Sequence, residues 1–266
     1  MTYNEHQDYE HHAKEVGNCI DLLGRYAIAL DASLNVLDIG AGQGMHAGPL
    51  AEYFNKVYCT DIIDYSSLYD GAFCKLLADK YARVGKPLRL DRVAFLETDA
   101  RALVFKDSTF DVVLSINAFE HIPDTTRALA EAVRVTKPGG HLLISFDPIW
   151  TADTGSHFFH RVPEPWGHLV RTPEQYGHLM RDAGATEGEV AEFRSAMNRN
   201  RYTHYLDAFT QAEREGTMTT VHFDCWAGVT DERHRTHPNY QPCHEAGYSD
   251  EELLLRGMRW LLRRER

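Results

Sequence analysis

Three glycines at alternate positions mark the first segment of the chain with the composition of a ligand-binding loop. Residues 36–44 read Val-Leu-Asp-Ile-Gly-Ala-Gly-Gln-Gly, so an apolar stretch of strand type runs directly into a loop that contains Gly40, Gly42 and Gly44. Because glycine has no Cβ, such a loop lets the backbone lie directly against a ligand. The pattern predicts a binding loop at the carboxyl end of a strand.

Two aspartates accompany this loop. Asp38 stands two residues before the first glycine, where its carboxylate can hold a cation or a water molecule. Asp61 ends the next apolar run, at 57–60, where a carboxylate can accept hydrogen bonds from two ribose hydroxyls. The loop and these carboxylates together predict a nucleotide-like ligand.

The spacing of the glycines separates two kinds of nucleotide site. A dinucleotide fingerprint, G-x-G-x-x-G, needs its third glycine at position 45. That position is Met45, and the glycine falls one residue earlier, at Gly44. The pattern G-x-G-x-G after Asp38 resembles instead the loop of class I S-adenosylmethionine-dependent methyltransferases, which covers the amino acid tail and the ribose of a ligand without phosphate.

Later segments extend this resemblance in the same order along the chain. The run Glu-Thr-Asp-Ala-Arg at 97–101 follows a third apolar segment, and 110–122 resembles the family's fourth strand with the pocket-lining segment beyond it. The turn Lys-Pro-Gly-Gly at 137–140 is common in the same family. The resemblance covers about residues 33–150 and becomes looser beyond them.

The resemblance assigns cofactor contacts residue by residue. It implies that Asp99 accepts a hydrogen bond from the adenine amino group and that the amide of Ala100 faces a ring nitrogen. The whole set of cofactor-binding residues that it implies is Asp38, Gly40, Ala41, Gly42, Gly44, Asp61, Ile62, Asp99, Ala100 and Asn117.

The elements that must position these residues alternate between strand and helix. Strands are expected at 34–39, 56–61, 91–97, 110–116 and 140–146, and helices at 6–30, 45–55, 66–84 and 124–135. Such alternation predicts right-handed βαβ units, and therefore a parallel sheet with helices on both faces. Ligands of such sheets bind outside the carboxyl ends of the strands, so one crevice should collect Asp38, Asp61, Asp99 and Asn117.

The predicted architecture is a single Rossmann-like α/β domain, a three-layer sandwich. By resemblance, its mostly parallel seven-stranded sheet ends in an antiparallel C-terminal strand, and a lid is inserted after strand five. The expected parts are a helical cover at 1–32, a cofactor-binding core at 33–147, a substrate lid at 148–215 and a strand pair at 216–266. Within the cover, Val16, Ile20, Leu23, Ala27 and Leu30 have helical spacing, and Tyr9 and His12 are candidates to touch the cofactor.

The second half of the chain contributes helical signals near 173–183 and 202–215, and strand signals near 217–226 and 258–264. Between these and the core, 148–172 reads as a long loop rich in aromatic residues. Loops of this length inside a compact domain are usually functional.

Three histidines are candidates for acid–base catalysis. His121 follows the predicted fourth strand, whereas His157 and His160 stand in the long loop after the fifth. A base is needed only where the acceptor arrives protonated, and a structural histidine that binds backbone groups is the alternative for His121. The possible metal ligands are His157 with His160 and, later in the chain, a group made of Asp231, His234, His237, His244 and Glu245. Neither set has a known metal-motif spacing, so no metal site is predicted.

Composition limits the classes of partner. The net charge of −11 argues against a nucleic-acid substrate, because affinity for phosphates depends on Lys and Arg. No apolar run has the length of a membrane helix, and the first residues lack a signal core. Five scattered cysteines indicate free thiols rather than disulfides. These features favour a cytoplasmic protein that acts on a small molecule.

The sequence therefore predicts a methyltransferase that uses S-adenosylmethionine and methylates oxygen or nitrogen, in preference to carbon, of a metabolite or natural product. Two alternatives remain open at this point. One is an NAD(P)-dependent oxidoreductase on a similar sheet, against which Met45 speaks. The other is a non-catalytic module that keeps the fold and binds the cofactor.

Overall fold

The computed structural model describes residues 4–26, 30–31, 33–228 and 232–265. Its strands are β1 (Asn35–Ile39), β2 (Lys56–Asp61), β3 (Val93–Glu97), β4 (Phe110–Ile116), β5 (Thr136–Phe146), β6 (Met218–Ala227) and β7 (Leu255–Arg264). They form one seven-stranded sheet in the order β3-β2-β1-β4-β5-β7-β6. The pairs among β1 to β5 are parallel, and β7 is antiparallel to both of its neighbours. The predicted fold class is therefore confirmed.

Helices cover both faces of this sheet. They are α1 (Glu5–Arg25), α2 (Ala47–Ala51), α3 (Phe73–Arg83), α4 (Thr125–Val135), α5 (Pro173–Asp182), α6 (Glu187–Ser195), α7 (Tyr202–Arg214), α8 (Glu232–Arg235), α9 (Tyr240–Glu245) and α10 (Asp250–Leu254). Within the described residues, no helix combines the length and the apolar character that crossing a bilayer requires.

Each face of the sheet has its own apolar core, because successive side chains of a strand point to opposite faces. Leu37 of β1 belongs to the core that α4 and α7 cover, whereas its neighbour Val36 belongs to the core that α1 and α2 cover. Both side chains are fully buried. Strands buried on both faces explain the continuous apolar runs in the sequence.

Several predicted boundaries were wrong for local reasons. Helix α1 ends at Arg25 rather than 30, which leaves Leu30 outside it, and Ala27 lies outside the described residues. Helix α3 begins at Phe73 instead of 66, because Asp70 and Gly71 both take positive φ, at 54° and 80°. A separate 3-10 turn occupies the start of the predicted helix.

The glycine turn before the fifth strand also differs from its prediction. Strand β5 begins directly after α4, at Thr136, and includes the Lys-Pro-Gly-Gly segment. The register between β4 and β5 shifts over this stretch, where Gly139 has a φ of +77°. The segment is thus an irregularity inside the strand rather than a turn in front of it.

The region between β5 and β6 holds its own small core. No helix or strand occurs between Phe146 and Pro173, as predicted. Buried side chains from this loop, including Trp150 and Phe158, pack with Tyr176 of α5 and Phe193 of α6. Helices α5 and α7 confirm the predicted helical signals, whereas α6 was not predicted.

Candidate functional site

A cleft opens at the carboxyl ends of the parallel strands. This first cleft has a volume of about 440 Å³ and is walled by the ends of β1 and β2, the segments after β3 and β4, and α6. A second cleft, of about 340 Å³, lies on the other side of the glycine loop, where α1 forms part of the wall. The two clefts share Gly40, Gly42 and Asn117. The glycine loop therefore separates two arms of one site.

Most of the predicted cofactor contacts lie on these walls. Those that line the first cleft are Gly40, Gly42, Asp61, Ile62, Asp99, Ala100 and Asn117. Ala41 lines the second cleft. Asp38 and Gly44 line neither cleft, so the expectation that all four strand tips converge on one crevice holds for Asp61, Asp99 and Asn117 but not for Asp38.

The glycine loop is fixed by backbone hydrogen bonds to the neighbouring strand. The amides of Gly40 and Ala41 both donate to the carbonyl oxygen of Thr60, at 2.8 and 2.9 Å. A Cβ on Gly40 would stand 2.3 Å from that of Ala118, so this glycine permits close packing of the loop against the segment after β4. Its role is to bring two walls of the cleft together.

Of the three glycines of the loop, Gly42 is the one whose Cβ position faces open space. Its φ is +51°, and a Cβ added to it would meet no heavy atom within 4 Å. Because Gly42 lines both clefts, a side chain at this position would occupy the space that they share. This is the geometry expected where a ligand lies directly against the backbone.

Gly44 packs closely against side chains of β3 and α3 and lines neither cleft. A Cβ added to it would lie 2.6 Å from Cζ of Phe95 and 3.0 Å from Cδ2 of Leu77. The residue also has a φ of +74°. Glycine is thus required here by an aromatic ring of β3 and by the backbone conformation.

Asp61 braces the loop and retains the capacity to bind a ligand. Its Oδ2 accepts from the amide of Gly42 at 3.0 Å, and its Oδ1 accepts from the amide of Ile63 at 3.1 Å. A carboxylate offers about four lone-pair positions, so two remain for further donors. The position at the end of β2, on the cleft wall, suits a pair of ribose hydroxyls.

Part of the first cleft's wall combines two exposed isoleucines with an aspartate whose carboxylate is fixed by an arginine. The side chains of Ile62 and Ile63 are 65% and 49% exposed, which is high for isoleucine and suits a flat apolar ring. Across from them, Asp99 pairs with Arg101, whose Nη2 donates to Oδ2 at 2.6 Å and whose Nε donates to Oδ1 at 2.9 Å. The hydrogen bonds from Arg101 hold the pKa of Asp99 below its usual value.

A chain of buried charges runs beneath the second cleft. Among the described residues, neither oxygen of Asp38 has a hydrogen-bond partner, and its Oδ2 lies 3.9 Å from Nδ1 of His46. Nε2 of His46 lies 3.1 Å from Glu15 of α1, which also accepts from Asn117. Burial raises the pKa of Asp38 to about 6, although His46 partly opposes the shift.

The neighbouring charges act differently on Glu15. Burial works to raise the pKa of this carboxyl, but hydrogen bonds from His12 and His46 outweigh it and hold the pKa well below its usual value. His12, one of the two candidates on α1, lines the second cleft. Tyr9, the other candidate, packs edge-on against Tyr81 at 5.7 Å and lines neither of the two clefts.

The three candidate catalytic histidines fall in different places. His121 lines the first cleft, and its ring lies 5.0 Å from that of His157, edge to face. Burial lowers the pKa of His157 to about 4. His160 lines neither cleft; its side chain is 63% exposed and lies 3.8 Å from Glu189. The structure therefore brings His121 and His157 together and leaves His160 apart.

The possible metal ligands that the sequence offers do not form the groups that their positions in the chain suggest. His157 and His160 do not converge, since His157 faces His121. In the later group, Asp231 lies outside the described residues, and Nε2 of His244 lies 2.7 Å from Asp250.

Sequence reasoning missed Glu120, which stands beside His121 in the chain. Its side chain is fully buried, and both of its oxygens lack a hydrogen-bond partner in the part of the chain that the structure describes. Burial raises the pKa of this carboxyl well above its usual value, and Asp147 adds to the effect. The adjacent Glu120 and His121 were visible in the sequence, but the burial of Glu120 was not.

Comparisons with known proteins agree with this geometry. Residues 37–144 match a family model described as a methyltransferase domain. A sterol 4-C-methyltransferase of Caenorhabditis elegans is 29% identical over 126 residues, which are 47% of this chain and 34% of that protein. A 27-O-demethylrifamycin SV methyltransferase of Amycolatopsis mediterranei is 34% identical over 117 residues, 44% of this chain and 40% of that protein. The matches thus span well under half of these relatives.

The fold has counterparts among solved structures. The crystal structure of an S-adenosylmethionine-dependent methyltransferase from Methanosarcina mazei superposes with a TM-score of 0.53 at 20% identity, over 92% of this chain and 97% of that one. The sheet order, the glycine loop and the matched domain define a class I methyltransferase fold. What this chain shares with these proteins is the fold and, over residues 37–144, the match to the methyltransferase domain.

Proposed function

We propose that this chain transfers the methyl group of S-adenosylmethionine to a small molecule bound in the first cleft. The observation that carries the proposal is the open space at Gly42, which lies on the wall common to both clefts, next to the carboxylate of Asp61. The cofactor supplies an activated methyl group, so the tasks of the protein are to bind, orient and exclude water.

The residues of this chain divide those tasks. Asp61 has free lone pairs for the ribose, and Asp99 and the amide of Ala100 stand where an adenine edge would be read, beside Ile62. The second cleft, with Gly40, Ala41 and the groups around His46, would take the amino acid tail. Asp38 and Gly44 support the loop from behind.

The acceptor would lie at the end of the first cleft that His121, Glu192 and Ala196 line. Helix α6 and the loop before it belong to the predicted lid at 148–215, and we retain that lid and the cover, core and strand-pair boundaries as proposals. His121 lines this end of the cleft, and the ring of His157 lies 5.0 Å from that of His121. His160 lines neither cleft and lies beside Glu189, so we do not place it at the acceptor.

We favour oxygen or nitrogen over carbon as the methylated atom, because polar side chains stand at the acceptor end. The relatives do not decide this point, since one is a 27-O-demethylrifamycin SV methyltransferase and another a sterol 4-C-methyltransferase. The net charge of −11 supports a small molecule over a nucleic acid, and a cytoplasmic location remains part of the proposal.

Calorimetric titration with S-adenosylhomocysteine tests the cofactor site. We expect Gly42→Val and Asp61→Ala each to weaken binding by about 100-fold, which is about 2.8 kcal/mol. Gly139→Val is the matched control, because Gly139 also has positive φ and open space around its Cβ position but lines neither cleft. Unchanged affinity in both cleft variants would refute the proposal.

Two further measurements address the alternatives. An oxidoreductase predicts that NADH raises the melting temperature, whereas our proposal predicts that only S-adenosylhomocysteine does so. A non-catalytic module predicts tight cofactor binding without turnover of any acceptor in a broad panel of hydroxylated and amino compounds. Methyl transfer to any of them, detected as S-adenosylhomocysteine release, contradicts that module.

A further inference from the structure

Three potential metal ligands converge at the acceptor end of the first cleft. Glu120, His121 and His157 each offer one ligand atom, and these atoms all lie within 4.8 Å of one another. Nε2 of His121 is 3.9 Å from Oε1 of Glu120, and the two imidazole rings meet edge to face at 5.0 Å. We call these three side chains the Glu-His-His cluster.

The backbone fixes the tautomers of both histidines. Nδ1 of His121 lies 2.9 Å from the carbonyl oxygen of Ala196, and Nε2 of His157 lies 3.1 Å from that of Pro148. Because a carbonyl oxygen only accepts, each of these nitrogens carries the hydrogen. The remaining nitrogen of each neutral ring is therefore a free lone pair. Histidines that bind metals almost always donate their other N–H in this way.

Glu120 completes the set with an unsatisfied carboxylate. Its side chain has no solvent exposure, and neither oxygen has a hydrogen-bond partner among the described residues. A protonated Glu120 would need an acceptor at hydrogen-bond distance, but 3.9 Å to Nε2 of His121 is too long. The charge that acts on it from nearby, Asp147, is another carboxylate. Buried acceptors that face one another without a donor are unfavourable unless a cation lies between them.

We propose that the Glu-His-His cluster binds a divalent transition-metal ion. Two imidazoles and one carboxylate are the protein ligands of one class of catalytic zinc sites and of a class of non-haem iron sites, and both keep open positions for other ligands. Bonds of about 2.0–2.2 Å would place neighbouring ligand atoms roughly 3–4 Å apart. The observed spacing, up to 4.8 Å, approaches this value, so small side-chain rotations complete the site.

The position of the cluster indicates what the ion would hold. His121 lines the first cleft, so an ion bound to it stands at the cleft wall where the acceptor is placed. An open coordination position there suits an oxygen ligand, such as a hydroxyl or carboxylate of the acceptor. This role rests on the proposed function, whereas metal binding itself does not. The chemical class of acceptor that follows is an oxygen-bearing small molecule.

A second group of potential ligands is the alternative binding site for the metal ion. His11, His12 and Glu15 on α1 also place ligand atoms within 4.8 Å of one another. However, Glu15 already accepts from Asn117 at 2.7 Å and bonds to His12 and His46 at 2.8 and 3.1 Å. Its oxygens are satisfied, in contrast to those of Glu120. We therefore expect the ion at the Glu-His-His cluster.

Titration of the full chain with Zn²⁺, after removal of metals with a chelator, tests the site. We expect one equivalent of Zn²⁺ to bind. Glu120→Gln and His157→Gln should each weaken Zn²⁺ affinity by about 100-fold or more, because even the loss of a residue that only hydrogen-bonds to a metal ligand lowers metal affinity by about 10–100-fold. Glu15→Gln and His178→Gln, the latter an exposed histidine of α5, should leave Zn²⁺ affinity within about twofold of wild type. Circular dichroism verifies that each variant folds.

An independent measurement locates the ion without any variant. Crystals grown with Zn²⁺ should show an anomalous difference peak between the three side chains. A peak elsewhere, no binding tighter than about 100 μM, or binding lost in Glu15→Gln but kept in Glu120→Gln would each overturn the proposal. S-adenosylhomocysteine affinity, measured on wild type and Glu120→Gln, reports separately on the cofactor site, so failure of one proposal is distinguishable from failure of the other.

Discussion

Nδ2 of Asn117 donates a hydrogen bond to Oε1 of Glu15 at 2.7 Å, although the two residues are 102 positions apart in the chain. Asn117 follows β4 with a φ of +52°, and Glu15 lies in the middle of α1. The contact ties the N-terminal helix to the tip of a central strand, at one of the residues that both clefts share. Helix α1 is thus a wall of the site as well as a cover for the sheet.

Glu15→Ala should weaken binding of S-adenosylhomocysteine by about tenfold, which is about 1.4 kcal/mol. The reason is that Asn117 and His46 both lose a charged hydrogen-bond partner, so the wall of the second cleft is no longer held in place. Calorimetry measures the change. Glu10→Ala removes an exposed carboxylate from the same helix and serves as the control, with affinity expected to match wild type. Equal affinity in the two variants would show that the Glu15 contact has no part in cofactor binding.

The central strands were predictable because their apolar runs are long and end at polar or glycine residues. The predicted 56–61 and 110–116 coincide with β2 and β4, and the prediction for β1 is off by one residue. A parallel sheet then places the strand tips at one edge, which is why Asp61, Asp99 and Asn117 were correctly brought together. The order of apolar and polar residues was therefore enough to predict the strands and the residues at their ends.

The rest of the site depends on contacts between distant segments. Nothing in the sequence near Glu15 indicates that it meets His46 and Asn117. The burial of Glu120 follows from the packing of the segments around it; Asn198, for example, donates its side-chain amide to the carbonyls of Phe119 and Ile122. By contrast, α6 had a readable signal, since Thr186 and Glu189 form a capping box at its start.

Gly44→Ala should reduce the free energy of unfolding by about 2–5 kcal/mol. The new Cβ would lie 2.6 Å from Phe95, which adds overpacking of about 1–3 kcal/mol to the left-handed conformation penalty of about 1–2 kcal/mol. Gly85→Ala isolates the second contribution, because Gly85 has the same φ of +74° and nothing within 4 Å of its Cβ position. Urea denaturation measures both variants. An equal loss of unfolding free energy in the two variants would show that the Phe95 ring moves aside without cost. If stability is partly recovered in the double variant Gly44→Ala with Phe95→Leu, the steric cause is confirmed.

The buried Asp38 should make stability fall as the pH rises. Its pKa is raised by burial from 3.8 to about 6, so the folded state binds a proton more readily than the unfolded chain between these values. The contribution of Asp38 to stability is complete below about pH 4 and is lost as the pH passes 6, with a total change of about 3 kcal/mol. Asp38→Asn removes the titration, so the free energy of unfolding of wild type minus that of the variant should decrease between pH 4.5 and 7.5. Thr60→Val changes a buried, non-titrating neighbour, and its difference from wild type should be constant over the same range. A constant difference for Asp38→Asn would mean that Asp38 ionises in the folded protein as it does in the unfolded chain.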